Sequence, residues 1–179
     1  SVTDGEACDP DQSAWSPARL RAARAVELDD ALRCLGLASA ERMSWHIGDG
    51  AVTASETWIV EQLSRVFKPG DLVLAPWRFD GHPDHEAVGR ACVQASAECG
   101  ASLKEYPVWG WHWLDPQAAS SAWAPATRFA LEDALVARKR QAIQQFVTQT
   151  GAVDGLECDP ILPATVLRRF ERNFEVLIG

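Results

Sequence analysis

Two histidines and an aspartate fall within four residues in the sequence Gly81-His82-Pro83-Asp84-His85. Neutral imidazole is a good ligand for Zn²⁺, and catalytic zinc has three protein ligands and an open position for water. Because a tight turn cannot direct all three side chains toward one point, we predict that this loop supplies one metal ligand and accessory groups. The alternative is a structural cap, in which Asp84 caps a helix and both histidines lie at its polar mouth.

The segments on either side of this loop predict how it is held. The apolar residues 72–76 predict a buried parallel strand, and the apolar spacing over about 85–99, ending at Gly100, predicts a helix. Open α/β sheets place their active sites at such turns, at the carboxyl ends of strands. The order of strand, glycine turn and helix therefore makes the histidine pair a candidate active site.

Strands and amphipathic helices alternate along the rest of the chain. Ser16-Pro17 predicts the start of a helix and Gly36 its end. Further predicted elements are a short strand at 44–47, a helix over about 53–67, a strand over 103–113 and a helix over about 129–150. This alternation predicts an α/β fold with a mainly parallel sheet, and the length predicts a single domain over residues 1–179.

Arg24 lies on the apolar stripe of the first predicted helix, four residues from both Leu20 and Leu28. Charged groups are rare on a core-facing stripe unless they have a partner. Two interpretations stay open. Arg24 forms a structural pair with Glu27, or it points toward the site.

Three tryptophans, Trp109, Trp111 and Trp113, alternate along one face of the last predicted strand, with His112 on the opposite face. Aromatic faces suit sugar rings, so a carbohydrate platform is one interpretation and core packing is the other. His112, near the end of this strand, is a candidate for substrate binding.

Composition excludes several classes of function. The net charge of −8 without a Lys/Arg cluster argues against a nucleic-acid partner, which requires phosphate neutralisation. The five cysteines form no CxxC pair, which argues against a disulfide framework and fits a reducing cytoplasm. No apolar run is long enough to span a bilayer and no signal peptide opens the chain. We expect a cytoplasmic protein with a small polar substrate.

The chain resembles the PIG-L/LmbE-like zinc-dependent de-N-acetylases in the order and spacing of several blocks. These blocks are Thr3-Asp4-Gly5-Glu6, Arg24-x-x-Glu27 with Leu35-Gly36, Asp49-Gly50, and residues 81–85. The resemblance implies a Rossmann-like sheet with helices on both faces. It also implies a zinc-dependent hydrolase that removes an acyl group, usually acetyl, from an N-acylated amino sugar of the N-acetylglucosamine type.

The resemblance also implies roles for individual residues. His85 would ligate the metal, His82 would stabilise the oxyanion, and Asp84 would orient His82. Arg24 would contact the carboxylate or acyl end of the site, and Asp4 is a further candidate for substrate binding. These roles fit the chemistry, because a metal polarises an amide carbonyl and a donor opposite it stabilises the negative charge that forms on the oxygen.

The family's earlier Ala-His-Pro-Asp-Asp-Glu loop does not occur in this sequence. We therefore expect the first strand and helix, two further metal ligands and the general base to precede Ser1, and the chain alone to be inactive. A sheet without its central strand would expose apolar edges, so self-association into a homo-oligomer is expected. The alternatives are a catalytically inactive carbohydrate-binding or assembly module on the same scaffold, and hydrolysis of an N-acyl group on a non-sugar amine.

Overall fold

A computed structural model describes residues 1–7, 15–114, 126–151, 153 and 159–179. These residues form seven α-helices and four strands, which confirms the predicted α/β class. A 3-10 turn over Val52–Ser55 precedes the second helix. In chain order the elements are α1 (Pro17–Leu35), α2 (Glu56–Val66), β1 (Leu72–Pro76), α3 (Pro83–Cys99), β2 (Ser102–Tyr106), α4 (Gly110–Trp113), β3 (Ala126–Ala130), α5 (Asp133–Ile143), α6 (Val147–Thr150), α7 (Ala164–Phe170) and β4 (Phe174–Ile178).

The four strands form one sheet in the order β1-β2-β4-β3. β1 and β2 are parallel, with Leu72 opposite Ser102 and Pro76 opposite Tyr106, because α3 carries the chain back between them. β4 enters from the other end of the chain and pairs antiparallel with β2, with Ile178 opposite Glu105. The sheet is therefore mixed, and the predicted mainly parallel, Rossmann-like sheet is confirmed only in part.

The chain divides into two compact units. Unit 1 comprises Ser1–Asp49 and Ala130–Asn173, and unit 2 comprises Gly50–Phe129 and Phe174–Gly179. Each unit is thus assembled from segments that are far apart in the sequence. The single domain over residues 1–179 stays a prediction. None of the helices that the structure describes is both long and apolar enough to cross a membrane.

Helix α1 of unit 1 begins and ends as the sequence predicts. The Ser16 side chain accepts a hydrogen bond from the Arg19 backbone N–H at 3.2 Å, and Pro17 occupies the first turn. Gly36 ends the helix in the left-handed conformation at φ 76°, which a residue without a β-carbon adopts without strain. Leu20 and Ala31 of this helix are buried.

Two other predictions for unit 1 are wrong. The helix predicted over 129–150 is divided into α5 and α6, and residues 44–47 are not a strand. The division leaves the first backbone N–H groups of α6 without helical partners, and the buried Glu27 carboxylate accepts the N–H of Thr148 at 2.7 Å. Near the N-terminus, the Trp45 N–H donates to the Ser1 carbonyl oxygen and the Ile47 N–H donates to the Val2 carbonyl oxygen. These two hydrogen bonds do not make a regular strand.

Unit 2 packs α3 against the parallel strands. Ala75 of β1 and the helix residues Ala87, Ala91 and Ala95 are all at most 1% exposed. A β-carbon added at Gly89 would lie 2.6 Å from the Pro76 carbonyl oxygen, so glycine permits the close approach of α3 to β1. A second core cluster joins Trp77, Leu114 and Ile178, with Ala126 packed against it.

The strand predicted over 103–113 ends at Tyr106, and α4 follows over Gly110–Trp113. Pro107 has no N–H and cannot continue the strand ladder. The tryptophans at 109, 111 and 113 therefore do not alternate on one face of a strand. The carbohydrate-platform interpretation in its strand form is wrong, because Trp111 and Trp113 lie in a short helical turn that Trp109 precedes.

Candidate active site

The predicted histidine loop joins β1 to α3. His82 is the N-cap of α3, Pro83 is its first residue, and Nδ1 of His82 accepts the backbone N–H of Asp84 at 3.3 Å. Gly81 adopts φ 82°, a left-handed conformation that other residues rarely adopt, and its N–H donates to Glu86 at 3.0 Å. Local sequence thus forms this turn, with glycine, a polar N-cap and proline at the first helical position.

His85 is held by a buried aspartate that the sequence analysis did not single out. Oδ2 of Asp80 lies 2.7 Å from Nδ1 of His85, and Asp80 is completely buried. The same carboxylate accepts the backbone N–H groups of Val108 at 2.8 Å, Trp109 at 2.7 Å and Gly110 at 2.9 Å. Burial raises the pKa of Asp80, but the hydrogen bonds from His85 and from these three N–H groups outweigh burial and lower the pKa below its ordinary value.

The structure brings three of the four histidines together around one tryptophan. The His82 and His85 rings stack with centroids 4.3 Å apart, and His82 meets Trp109 edge to face at 5.8 Å. Trp109 in turn stacks on His112 at 4.1 Å. His112, predicted as a substrate-binding residue, is thus part of the same group of rings as the two loop histidines.

Asp84 anchors the first turn of α3. Its two carboxylate oxygens accept the backbone N–H groups of Gly50 at 2.7 Å and Val52 at 3.2 Å, and the residue is 5% exposed. The family resemblance predicts that Asp84 orients the His82 ring. The hydrogen bond between these residues runs from the Asp84 backbone N–H to the His82 ring, and the Asp84 carboxylate bonds Gly50 and Val52.

Unit 1 carries the two other predicted residues in a separate cluster of charges. Asp4 contacts His46 at 2.8 Å and Arg21 at 2.9 Å, and Arg21 lies 3.5 Å from Glu6. Arg24 donates to the Gly5 carbonyl oxygen.

Two side chains of this cluster carry buried atoms without hydrogen-bond partners among the described residues. These atoms are Nε and Nη2 of Arg24 and Oε2 of Glu6. Buried charged atoms are normally hydrogen-bonded, so these atoms are suited to binding a polar ligand. Glu27 accepts hydrogen bonds from the Thr148 N–H and hydroxyl at 2.7 and 2.8 Å, so the Arg24–Glu27 pair, one of the two interpretations of Arg24, does not form.

Sequence reasoning missed Asp80 and gave Glu6 no separate role. Asp80 looked like an ordinary turn residue after a strand, because the N–H groups that it binds come 28 to 30 residues later. Glu6 was noted only as part of its sequence block. The available signal for Asp80 was its position, three residues before the helix that carries His85.

The described residues do not complete a metal site. Among them, no three or more His, Cys, Asp and Glu side chains are grouped so that they would hold a metal ion. His85 is nevertheless a suitable single donor, because Nδ1 is fixed on Asp80 and the side chain is 29% exposed. Of the described residues, His85 can therefore provide one metal ligand, and no reaction step is assigned to the metal.

A protein-family model described as "PIG-L: GlcNAc-PI de-N-acetylase" matches residues 1–96, more than half of the chain. The match includes the Thr-Asp-Gly-Glu block, the Arg24 helix and the histidine loop. It ends inside α3, before α4 and the tryptophans at 109, 111 and 113. No curated protein and no solved structure matches the chain.

Proposed function

Because the chain belongs to the PIG-L family of GlcNAc-PI de-N-acetylases, we propose that it takes part in zinc-dependent hydrolysis of an N-acetyl group on an N-acetylglucosamine-type conjugate. The observation that carries this proposal is the pair of stacked imidazoles at the start of α3, one of them fixed by a buried carboxylate. Amide hydrolysis needs an activated water and a donor for the carbonyl oxygen, and imidazoles are suited to both tasks.

His82 and His85 take different roles in the proposal. With Nδ1 bound to Asp80, His85 presents Nε2 as one metal ligand. Zinc is the metal that we propose, because it suits an imidazole donor; when bound, it would supply Lewis-acid polarisation of the amide. The other ligands would have to come from outside the described residues.

His82 is proposed to stabilise the developing oxyanion. Its Nδ1 accepts the Asp84 N–H, so in the neutral ring Nε2 carries the proton. Nε2 can then donate to the amide oxygen as negative charge forms there. Asp84 supports this role by holding the helix turn that positions the ring.

Arg24 is proposed as a contact for polar groups of the substrate. The unsatisfied guanidinium N–H groups of Arg24 and the free oxygen of Glu6 match the donors and acceptors of sugar hydroxyls. Asp4 and His112 are proposed as further substrate contacts. Replacing Arg24 by alanine should raise KM more than it lowers kcat, because this group binds substrate and does not touch the reacting bond.

The test is amine release from an N-acetylglucosaminyl-inositol conjugate, measured with an amine-reactive dye in the presence of Zn²⁺, on the chain joined to a segment that supplies the further metal ligands and the general base. We expect activity that is lost on chelation and reduced at least a hundredfold by His85→Ala. Gln94→Ala is the matched control, since Gln94 lies on the exposed face of the same helix. Activity that survives both chelation and His85→Ala would contradict the proposal.

A catalytically inactive carbohydrate-binding module is the second candidate. It is favoured by the incomplete ligand group among the described residues and by the aromatic cluster around Trp109. Titrating N-acetylglucosamine in the presence of chelator, followed by tryptophan fluorescence, separates the two functions. Saturable binding without amine release after metal addition would support the module, and an unchanged signal would contradict it. Release of amine from N-acyl amines that lack a sugar would indicate a different substrate class.

A further inference from the structure

Asp80 accepts four hydrogen bonds through a single buried carboxylate. Oδ1 takes the N–H groups of Val108 and Gly110, and Oδ2 takes those of Trp109 and the His85 ring. Its backbone carbonyl oxygen accepts a fifth bond from the Trp113 indole N–H at 2.8 Å. One residue therefore holds both the start of the 108–113 segment and the ring of His85.

The space around Asp80 fixes this arrangement from both sides. A β-carbon at Gly81 would lie 2.5 Å from the Trp113 indole nitrogen, and one at Gly110 would lie 3.3 Å from Oδ1 of Asp80. Glycine at both positions thus allows the 108–113 segment to lie against the histidine loop. The close packing leaves the Asp80 carboxylate little freedom to change partners.

We propose that Asp80 is a positioning residue that holds the His85 ring in the Nδ1–H tautomer. It also fixes the position of this ring relative to the stacked Trp109–His112 pair. This inference rests on the proposed function, because it assigns Nε2 of His85 to the metal. A charged acceptor at 2.7 Å orients the donating nitrogen and makes the opposite nitrogen a better ligand. The same carboxylate places Trp109, whose ring lies against His82.

A purely structural role makes a different prediction. If Asp80 served only to bind the backbone N–H groups of residues 108–110, it would not select a tautomer of His85. The partly exposed ring would then be a mixture of both tautomers. The two imidazoles of the loop provide an internal contrast. The contacts require Nδ1–H for His85 and Nε2–H for His82.

The direct test is a long-range ¹H–¹⁵N correlation spectrum of the metal-free protein above the titration range of histidine. The His85 signals are identified by their loss in His85→Gln. We expect His85 in the Nδ1–H form and His82 in the Nε2–H form. An Nε2–H form, or an even mixture, at His85 in the wild-type protein would overturn the proposal, and this measurement needs neither metal nor substrate.

Two variants separate positioning from loop closure. Asp80→Asn keeps the shape of the side chain but cannot satisfy all four donors, so we expect a mixed His85 tautomer and Zn²⁺ affinity about 10- to 100-fold weaker. Trp113→Phe loosens the loop by a different route, since it removes the indole N–H that bonds the Asp80 carbonyl oxygen and leaves the four donors of the carboxylate in place. We expect the His85 tautomer to persist in Trp113→Phe. An equal loss of the tautomer in both variants would indicate loop closure alone.

The two proposals fail in distinguishable ways. If amine release is never observed but His85 is the Nδ1–H tautomer and Asp80→Asn changes it, the positioning role stands and the reaction is wrong. If amine release depends on His85 but the ring is the Nε2–H tautomer, the reaction stands and the role of Asp80 is wrong. Should Asp80→Asn fail to fold, the wild-type spectrum still decides.

Discussion

In the described part of unit 2, the buried carboxylates of Asp80, Asp84 and Glu105 all accept hydrogen bonds. Glu105 is 3% exposed and accepts the backbone N–H of Arg78 at 2.9 Å together with two nitrogens of its guanidinium group. Because Arg78 begins the loop that leads to Asp80, this pair fixes the end of β1 just ahead of the site. A buried carboxylate that loses its partner is strongly destabilising, whereas the half-exposed arginine can reach water.

The Arg78–Glu105 pair should therefore respond unequally to removal of its two members. We expect Arg78→Met to lower the free energy of unfolding by about 3 kcal/mol, because the Glu105 carboxylate stays buried without its cation. Glu105→Gln should cost about half as much, since Arg78 is partly solvated. Urea unfolding of both variants measures the difference, with Glu98→Gln on the exposed face of α3 as the control. Equal losses would contradict this asymmetry.

Cys92 is predicted to make unit 2 sensitive to alkaline pH. Burial, with a smaller contribution from Glu105, raises the pKa of its thiol to about 11. The unfolded thiol ionises near 9, so between pH 9 and 11 the unfolded state releases a proton that the folded state keeps. Stability should fall as pH rises through this window, by about 1.4 kcal/mol per pH unit.

Unfolding measured from pH 8 to pH 10 tests this slope, because above pH 10 the Tyr106 hydroxyl, whose pKa burial also raises, adds a slope of the same sign. Cys92→Ala should remove it, although the variant starts from a lower stability because a buried side chain is lost. Cys99→Ala is the control, since Cys99 is only partly buried, and its removal should leave the slope unchanged. A slope that persists in Cys92→Ala would assign the alkaline sensitivity to another group.

At the scale of the elements, caps and close contacts decide where helices lie. Both α1 and α3 begin with a side-chain N-cap followed by proline and end at a left-handed glycine. These signals are local, which is why the sequence predicted both helices closely. The depth at which α3 packs is set by Gly89 instead, because a larger residue would press on the Pro76 carbonyl oxygen.

Gly89→Ala should destabilise the protein although alanine favours a helix. The gain in helix propensity is about 1 kcal/mol, and forcing a β-carbon against backbone atoms at 2.6 and 2.9 Å should cost at least 2 kcal/mol more than that gain. The exposed Ala97→Gly on the same helix is the matched control, with an expected loss of about 1 kcal/mol. Thermal unfolding measures both, and stabilisation by Gly89→Ala would show that α3 can move away from β1.

At the scale of the whole molecule, the last strand completes the core of unit 2. Ile178 is 4% exposed and packs with Trp77 and Leu114, which come from segments about 100 and 64 residues earlier in the sequence. At the edge of the sheet, Leu72 and Leu74 of β1 are 66% and 54% exposed, so the prediction that this strand is buried is wrong at these two positions. The predicted self-association stays a prediction, and this apolar edge is the surface that it would use.

Ile178→Ala is expected to lower the free energy of unfolding by 2–5 kcal/mol, about the usual cost of deleting a buried branched side chain. Leu72→Ala, on the exposed end of the sheet, should change stability by less than about 0.5 kcal/mol. Chemical denaturation of the two variants provides the comparison. Similar losses would mean that the β1 edge is covered in solution, which sedimentation of the wild-type protein would then show as an oligomer.

Local chemistry in the sequence determined the histidine loop, the two capped helices and the extent of strand β1. Each depends on residues within one or two turns of each other, where propensity and spacing act directly. The tertiary structure decided the rest: Asp80 meets N–H groups about 30 residues away, and Glu27 meets Thr148, 121 residues away. It also formed a helical turn where the tryptophan strand was predicted, and it added β4 to the sheet antiparallel to β2. Such partners are selected by the burial of charge and apolar surface, which depends on the packed chain and not on local spacing.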